Sequence, residues 1–297
     1  MKTQIFILGI FLLLASCGKS KSDMDASGTF EATEVIVSSE ANGKIQKLNL
    51  QEGQDVRARQ LLGSVDTIQL YLRKKQLLAS IQASQSRKPD VRAQVAALQQ
   101  QIVTAKSERA RIENLLKANA ANQKQLDDIN AQILVLQKQL NASRITLESS
   151  NKGINEESDA LKIQVAQIED QLRKSYISSP INGTVLVKYA EAGELAMQGK
   201  ALFKVADVEN MTLRAYVTAD QLAKLNVGQA VNVNAEFGSE GNKTYKGKVV
   251  WVSDKAEFTP KTIQTRDERA NLVYAVKVFV KNDGNLKIGM YGGIKFQ

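Results

Sequence analysis

Two long stretches of the chain place apolar residues at alternating spacings of three and four, the spacing of helices in a coiled coil. In the first stretch, which starts at Val91, the apolar or small positions are Val95, Leu98, Ile102, Ala105, Ile112 and Leu116, with Arg109 interrupting the series. In the second they are Leu126, Ile129, Ile133, Leu136, Leu140, Ser143 and Leu147. The pattern stops between two asparagines at 119–122. The sequence therefore predicts an antiparallel helical hairpin over 67–176 with its tip at 119–122.

Each arm of this hairpin contains a signal for a break. Pro89 ends the helix before it, and the sequence Asn151-Lys152-Gly153 interrupts the returning arm at the same distance from the tip. Beyond that point Leu161, Val165, Ile168 and Leu172 continue the apolar series, so we expect this segment to pair with a helix over 67–86. Arms of roughly fifty residues would be about 75 Å long.

Strand patterns flank the hairpin on both sides and repeat at a constant offset of 140 positions. The equivalent pairs are Gly43 with Gly183, Ile45 with Val185, Gly53 with Gly193, Leu62 with Leu202, and Val65 with Val205. Each copy predicts a strand, a glycine turn and a second strand. Neither copy alone can bury its apolar face, so 41–66 and 177–207 are predicted to form one split β-sandwich.

The rest of the chain is rich in β-forming residues between Gly and Asn turns. Strands are predicted over 212–217, 230–237, 245–252 and 273–280, with one short helix over 220–227. We interpret 208–253 as a β-barrel and 254–297 as a further β module, which a strand from 28–40 joins. Trp251 and Phe258 are expected in the core of this region.

The N-terminus indicates the cellular compartment. Lys2 precedes an apolar run over 5–14, which has the length of a signal-peptide core and is too short to span a bilayer. The sequence Leu14-Ala15-Ser16-Cys17 that follows resembles the bacterial lipobox, in which the cysteine is acylated. We therefore expect a signal peptide at 1–16, a lipidated polar tether at 17–27, and a periplasmic chain beyond it. The alternative is an ordinary signal peptide with an incidental cysteine.

Composition excludes several classes of chemistry. The 40 basic and 31 acidic residues are interspersed, without the basic stripe or aromatic platform that nucleic-acid binding needs. The chain has no histidine and one cysteine, which excludes histidine-dependent metal sites, His-dependent nucleophilic catalysis and an intramolecular disulfide. We expect no enzyme activity, no metal and no cofactor.

The split repeat resembles the biotinyl/lipoyl carrier domain, with EGQDV and EAGEL at its turns and SPINGTV opening the second half. In carriers, the hairpin that joins the halves presents a lysine that is modified. Here Gln69 stands at that position, and an amide cannot be acylated by biotin or lipoate. The resemblance therefore implies the fold of a carrier without its function.

The whole arrangement resembles the membrane fusion proteins, or periplasmic adaptors, of the haemolysin D family. The resemblance implies an α+β, elongated, multidomain fold: a long coiled-coil hairpin inserted in a split lipoyl-like β-sandwich, then a β-barrel and a membrane-proximal β module. The segment 252–278 and the closing IGMYGGIKF are similar to adaptors of ABC-type exporters.

The family's hairpin tip carries a motif that docks on an outer-membrane duct. The matching positions here are Arg111, Leu115, Asn122 and Asp127. Asn122 departs from the serine of the family pattern but keeps a short hydrogen-bonding side chain. Leu115 lies one position before Leu116. Leu116 belongs to the apolar series that faces the other arm, which we call the seam, so Leu115 is predicted to point outward.

The resemblance implies a tripartite efflux or export pump of a Gram-negative bacterium. The expected partners are an inner-membrane ABC permease with its ATPase, a TolC-like outer-membrane duct, membrane lipid through acylated Cys17, and further copies of the chain in a hexameric ring. Attachment to the inner membrane is expected, although Gly18 after the cysteine would send the protein to the outer membrane in some bacteria.

Other functions remain open at this stage. The same adaptor role beside a proton-driven transporter of the resistance-nodulation-division type is the nearest alternative. A structural envelope spacer, a degenerate carrier subunit and a coiled coil used only for dimerisation are the others.

Overall fold

A computed structural model describes residues 24–238, 241–258 and 272–296. The predicted signal peptide and Cys17 lie outside these residues, as do 259–271 and the side chain of Phe258. The strands are β1 (Ala26–Ser38), β2 (Gly43–Leu48), β3 (Asp55–Val56), β4 (Leu61–Val65), β5 (Tyr176–Ser178), β6 (Gly183–Lys188), β7 (Leu195–Ala196), β8 (Ala201–Thr218), β9 (Ala230–Glu236), β10 (Asn242–Phe258), β11 (Leu272–Lys281) and β12 (Tyr291–Lys295). The helices are α1 (Ile68–Ser86), α2 (Val91–Lys117), α3 (Gln123–Lys174) and α4 (Ala219–Leu222). The predicted α+β class is confirmed.

Helices α1 and α2 together pack antiparallel against α3. The seam residues that the heptad pattern predicts are all buried or half-buried, and Ala105, Ile129 and Ile133 form a cluster of their own. Since α3 has 52 residues, it is about 78 Å long. The hairpin is therefore a narrow arm whose only core is the line of contact between its helices.

The two arms do not break together, which corrects one prediction. The outgoing arm is interrupted between Ser86 and Val91, around Pro89, but α3 runs without interruption through 151–153. Asn151 donates from Nδ2 to the carbonyl of Pro89 at 3.2 Å, and this bond joins the continuous helix α3 to the break in the opposite arm. A glycine within a helix costs only about 1 kcal/mol, and packing against the opposite arm offsets that cost.

The two copies of the sandwich repeat bond to each other in a reciprocal pattern. The amide of Gly53 donates to the carbonyl of Val185, and the amide of Gly193 donates to the carbonyl of Ile45, both at 2.8 Å. Both turn glycines have positive φ, +82° and +97°, which explains why glycine recurs there. The apolar positions of the repeat, Ile45, Leu62, Val65, Val185, Leu202 and Val205, share one core.

The same reciprocal pattern extends to side chains that the sequence comparison did not pair. Ser39 and Ser179, 140 positions apart, are both buried and donate from Oγ to the carbonyls of Ala41 and Ile181, each at 2.7 Å. Asn42 and Asn182 each accept a backbone amide across the sandwich at 2.8 Å. The halves are thus joined by matched hydrogen bonds as well as by their common core.

The remaining strands form one closed barrel in the order β1-β12-β9-β10-β11-β8, which closes through the β1–β8 pairing. The boundary predicted between 253 and 254 is not present in the described residues, because strands from both sides enclose one core that includes Phe30, Val249 and Val278. The strand predicted at 28–40 lies two residues earlier, at Ala26–Ser38, and so begins inside the predicted tether. The short helix predicted at 220–227 is limited to Ala219–Leu222.

Strands β1 and β8 are long enough to belong to both β units. The first half of β8 contributes Leu202, Phe203 and Val205 to the sandwich core, and its second half contributes Met211 and Leu213 to the barrel core. Because two continuous strands cross the junction, the sandwich and the barrel are held in one fixed relation.

Candidate functional site

The tip of the hairpin is a tight turn between Lys117 and Gln123. The carbonyl of Leu115 accepts from the amides of Ala118 and Ala120, at 3.1 and 2.8 Å, which ends α2. Asn119 has a φ of +57°, the left-handed conformation that asparagine tolerates at helix ends. These contacts close the turn with backbone bonds.

Asn122 begins the returning helix. Its side chain accepts from the amide of Gln125 at 2.9 Å, and the Gln125 side chain accepts from the amide of Asn122 at 3.0 Å. This is a reciprocal capping box. The Asn-x-x-Gln spacing could have predicted this role from the sequence alone. Asn122 is therefore part of the structure of the tip whatever else it binds.

Arg111 lies on the exposed surface of α2, one helical turn before Leu115. Its Nε donates to Glu108 at 2.9 Å, so the charge pair is formed within one helix. The Arg111 guanidinium, through this hydrogen bond, lowers the pKa of the Glu108 carboxyl below its usual value. Glu108 is a residue that the sequence analysis missed, although its spacing of three from Arg111 is typical of such pairs.

Leu115 is 38% exposed, whereas its neighbour Leu116 is half-buried in the seam. Asp127, on the first turns of α3, accepts from Nε2 of Gln123 at 3.0 Å. Among the hydrogen bonds of the described residues, none joins two of the four predicted tip residues. The tip is thus a set of separate exposed groups, one apolar, one cationic and one anionic, around a capped turn, and such a set suits contact with another protein surface.

The position that carries the modified lysine in carrier domains lies at the base of the hairpin. Gln69 is exposed in the first turn of α1, and Oδ1 of Asp66 accepts the amide of Ile68 at 2.9 Å just before it. The chain therefore enters a helix at the point where a carrier would make a short turn. In the described part of the chain, no three His, Cys, Asp or Glu side chains come together as they would to bind a metal.

No helix within the described ranges combines the length and the hydropathy that crossing a membrane requires. Cys17, the predicted lipid attachment site, lies before the first described residue.

Residues 33–208 match the family model described as "RND MFP, barrel-sandwich hybrid domain". This match covers more than half of the chain. A "UPF0194 membrane protein" of Yersinia pseudotuberculosis is 26% identical over 86% of this chain and 83% of its own length. The "UPF0194 membrane protein YbhG" of Salmonella gallinarum is 27% identical over 91% of this chain and 87% of its own length.

A similar arrangement exists among solved structures. The crystal structure of MacA from Actinobacillus actinomycetemcomitans aligns with a TM-score of 0.57 and 22% identity, over 91% of this chain and 76% of that one. At this identity the likeness concerns the fold: the same combination of hairpin and β units.

Proposed function

The chain belongs to the membrane fusion proteins, the periplasmic adaptors of efflux pumps, and on this premise we propose that it links an inner-membrane ABC-type transporter to a TolC-like outer-membrane duct. The adaptors of this family are not enzymes. The observation that carries the proposal is the hairpin: an arm built on the 52-residue α3 that enters and leaves one small sandwich. Such an arm, about 78 Å long, can span the distance between two partners.

The base of the arm supports a mechanical role. The sandwich halves are bonded to one another reciprocally, and β1 and β8 continue from the sandwich into the barrel. A displacement of the barrel is therefore passed to the sandwich through continuous strands. The function that fits is a rigid link. Its base contacts the transporter and transmits the transporter's conformational changes, and its hairpin holds the outer-membrane duct.

The tip is the proposed docking site for the duct. Leu115 supplies an exposed apolar contact that no core needs, Arg111 and Asp127 supply charge nearby, and Asn122 fixes the turn that presents them. Side chains with this mixture, repeated once per copy in a hexameric ring, would give the duct several weak contacts that add together.

Cys17 is the proposed anchor in the inner membrane. It is the only cysteine of the chain and follows an apolar run of signal-peptide length. Replacing it, as Cys17→Ala, should block acylation and processing. Recovery of processed, membrane-bound protein from that variant would refute the anchor.

A second candidate is the same adaptor role with a proton-driven transporter of the resistance-nodulation-division type. The description of the matching family model favours it, whereas the similarity of 252–278 to adaptors of ABC exporters favours the first. The two candidates differ in the partner that remains bound after mild detergent extraction of native membranes. We expect an ATP-binding subunit and its permease to co-purify. A large proton-driven transporter in their place would support the second candidate.

A further inference from the structure

The outer wall of the barrel carries exposed apolar side chains on two neighbouring strands. Val250 and Trp251 in β10 and Phe279 in β11 are 47%, 40% and 37% exposed. The strand pairing sets Lys277 opposite Trp251 and Lys248 opposite Phe279, and Nζ of Lys277 lies 5.5 Å from the centre of the Trp251 ring. We call these five residues the Trp251 patch. Trp251, predicted to be a core residue, is therefore a surface residue instead.

A local irregularity in β10 explains why the tryptophan is outside. The register between β10 and β11 shifts between Val249 and Trp251, so the alternation of inward and outward side chains is interrupted there. Val249 points into the barrel core, and both Val250 and Trp251 are then exposed. The barrel core is closed without these two side chains, so the fold gives no reason for their hydrophobicity.

Lys248 and Lys277 give the patch its positive charge. Glu257 is paired with Arg214, with 3.2 Å between its Oε2 and Nη2, and Glu209 is paired with Lys281. Asp254 is the exposed acidic residue that follows the patch on β10. An amphipathic tryptophan beside lysines, whose alkyl stems can lie along apolar surface, is typical of side chains at a membrane interface.

The start of the described chain keeps the barrel as a whole close to the proposed anchor, although β10 is three strands away from β1 in the barrel order. The chain enters the barrel at once, since the amide of Asp25 donates to the carbonyl of Ile294 at 2.9 Å. Cys17 precedes Met24 by seven residues, which can span at most about 25 Å. An acyl chain at Cys17 would therefore keep the barrel next to the bilayer.

We propose that the Trp251 patch is a second membrane contact, which binds the anionic lipid surface into which the acylated Cys17 is inserted. This inference rests on the proposed lipid anchor. The chemistry is complementary: the lysines face lipid phosphates, and Trp251, Val250 and Phe279 enter the headgroup region. A single acyl chain binds a membrane only marginally, and a basic patch is one of the second signals that make attachment stable. The contact would also fix the orientation of the barrel, and with it the direction of the hairpin.

The test uses the fact that Trp251 is the only tryptophan of the chain. The full acylated protein is reconstituted into vesicles of phosphatidylethanolamine and phosphatidylglycerol, with and without brominated acyl chains, and into vesicles of phosphatidylcholine. We expect Trp251 fluorescence to shift to the blue and to be quenched by brominated lipid in the anionic vesicles, and much less in the neutral ones.

Variants separate the patch from the anchor. A lysine at an anionic surface contributes a factor of roughly five in binding, so Lys248→Gln with Lys277→Gln should lower the ratio of bound to free patch roughly 30-fold. Lys106→Gln with Lys138→Gln removes the same charge from exposed positions of α2 and α3 and should leave quenching unchanged. Vesicle flotation and intact mass report acylation at Cys17 independently.

Protein that floats with the vesicles while Trp251 stays unquenched would overturn the patch and leave the anchor standing. Absence of the acyl mass, with quenching still seen on added anionic vesicles, would refute the anchor and retain the patch. If Trp251 fluorescence shifted to the blue with rising protein concentration in the absence of lipid, and brominated lipid did not quench it, the Trp251 patch would be a contact between copies of the chain and the proposal would be overturned.

Discussion

Replacing Gly153 with alanine should stabilise the hairpin. Gly153 lies inside α3, is exposed, and has no atom within 4 Å of the position that a Cβ would take. The substitution therefore adds no clash and removes only the conformational cost of glycine in a helix, about 1 kcal/mol. In a helical unit of this size that free energy corresponds to an upward shift of the melting midpoint of roughly 4–8 °C.

The measurement is thermal and urea unfolding followed by circular dichroism at 222 nm, where the three long helices dominate the signal. Ala160→Gly, also exposed on α3, makes the reverse exchange and should lower the free energy of unfolding by about the same amount. If Gly153→Ala left the midpoint unchanged or lowered it while Ala160→Gly behaved as expected, α3 would not run through 151–153, and the original prediction of a paired break would be right.

Three further predictions concern the tip, acid stability and the carrier position. Leu115→Ser should abolish export while changing the free energy of unfolding by less than about 1 kcal/mol, whereas Leu134→Ser, an exposed change away from the tip, should retain export; normal export by the first variant would refute docking at Leu115. The hydrogen bond from Lys243 lowers the pKa of Asp283, so the stability it confers is present above the unfolded pKa of about 4 and declines as pH falls below that value. In Asp283→Asn the free energy of unfolding should therefore depend less on pH below about 4. The same pH dependence in the variant and the parent protein would contradict this. The mass of the delipidated chain should equal that of the bare polypeptide, because Gln69 replaces the carrier lysine; a biotin or lipoate mass would contradict this.

The parts of the fold that periodicity controls were predictable, and the parts that contacts across the chain control were not. The seam and the repeat at 140 positions follow from spacings that a helix or a strand imposes locally. The continuity of α3 depends on packing against the opposite arm and on Asn151 reaching Pro89, which no local pattern records. The single barrel depends on β1 returning to pair with β8 and β12, and the exposure of Trp251 depends on one register shift.

The candidate site shows the same division. The exposure of Leu115 follows from its place beside the seam, so the heptad pattern predicts it. The pairing of Arg111 with Glu108 and the capping role of Asn122 follow from local spacings of three residues, whereas the family resemblance points only to docking at these positions.

The central claim is that one chain bridges a transporter and an outer-membrane duct, and site-specific cross-linking in intact cells tests it most directly. A photoreactive phenylalanine analogue at position 115, at the tip, is compared with the same analogue at position 78, an exposed leucine site on α1 near the base of the arm. The account predicts a covalent adduct with an outer-membrane duct protein from position 115 and none from position 78. Adducts from position 115 that contain only further copies of this chain, or only inner-membrane proteins, would contradict the claim.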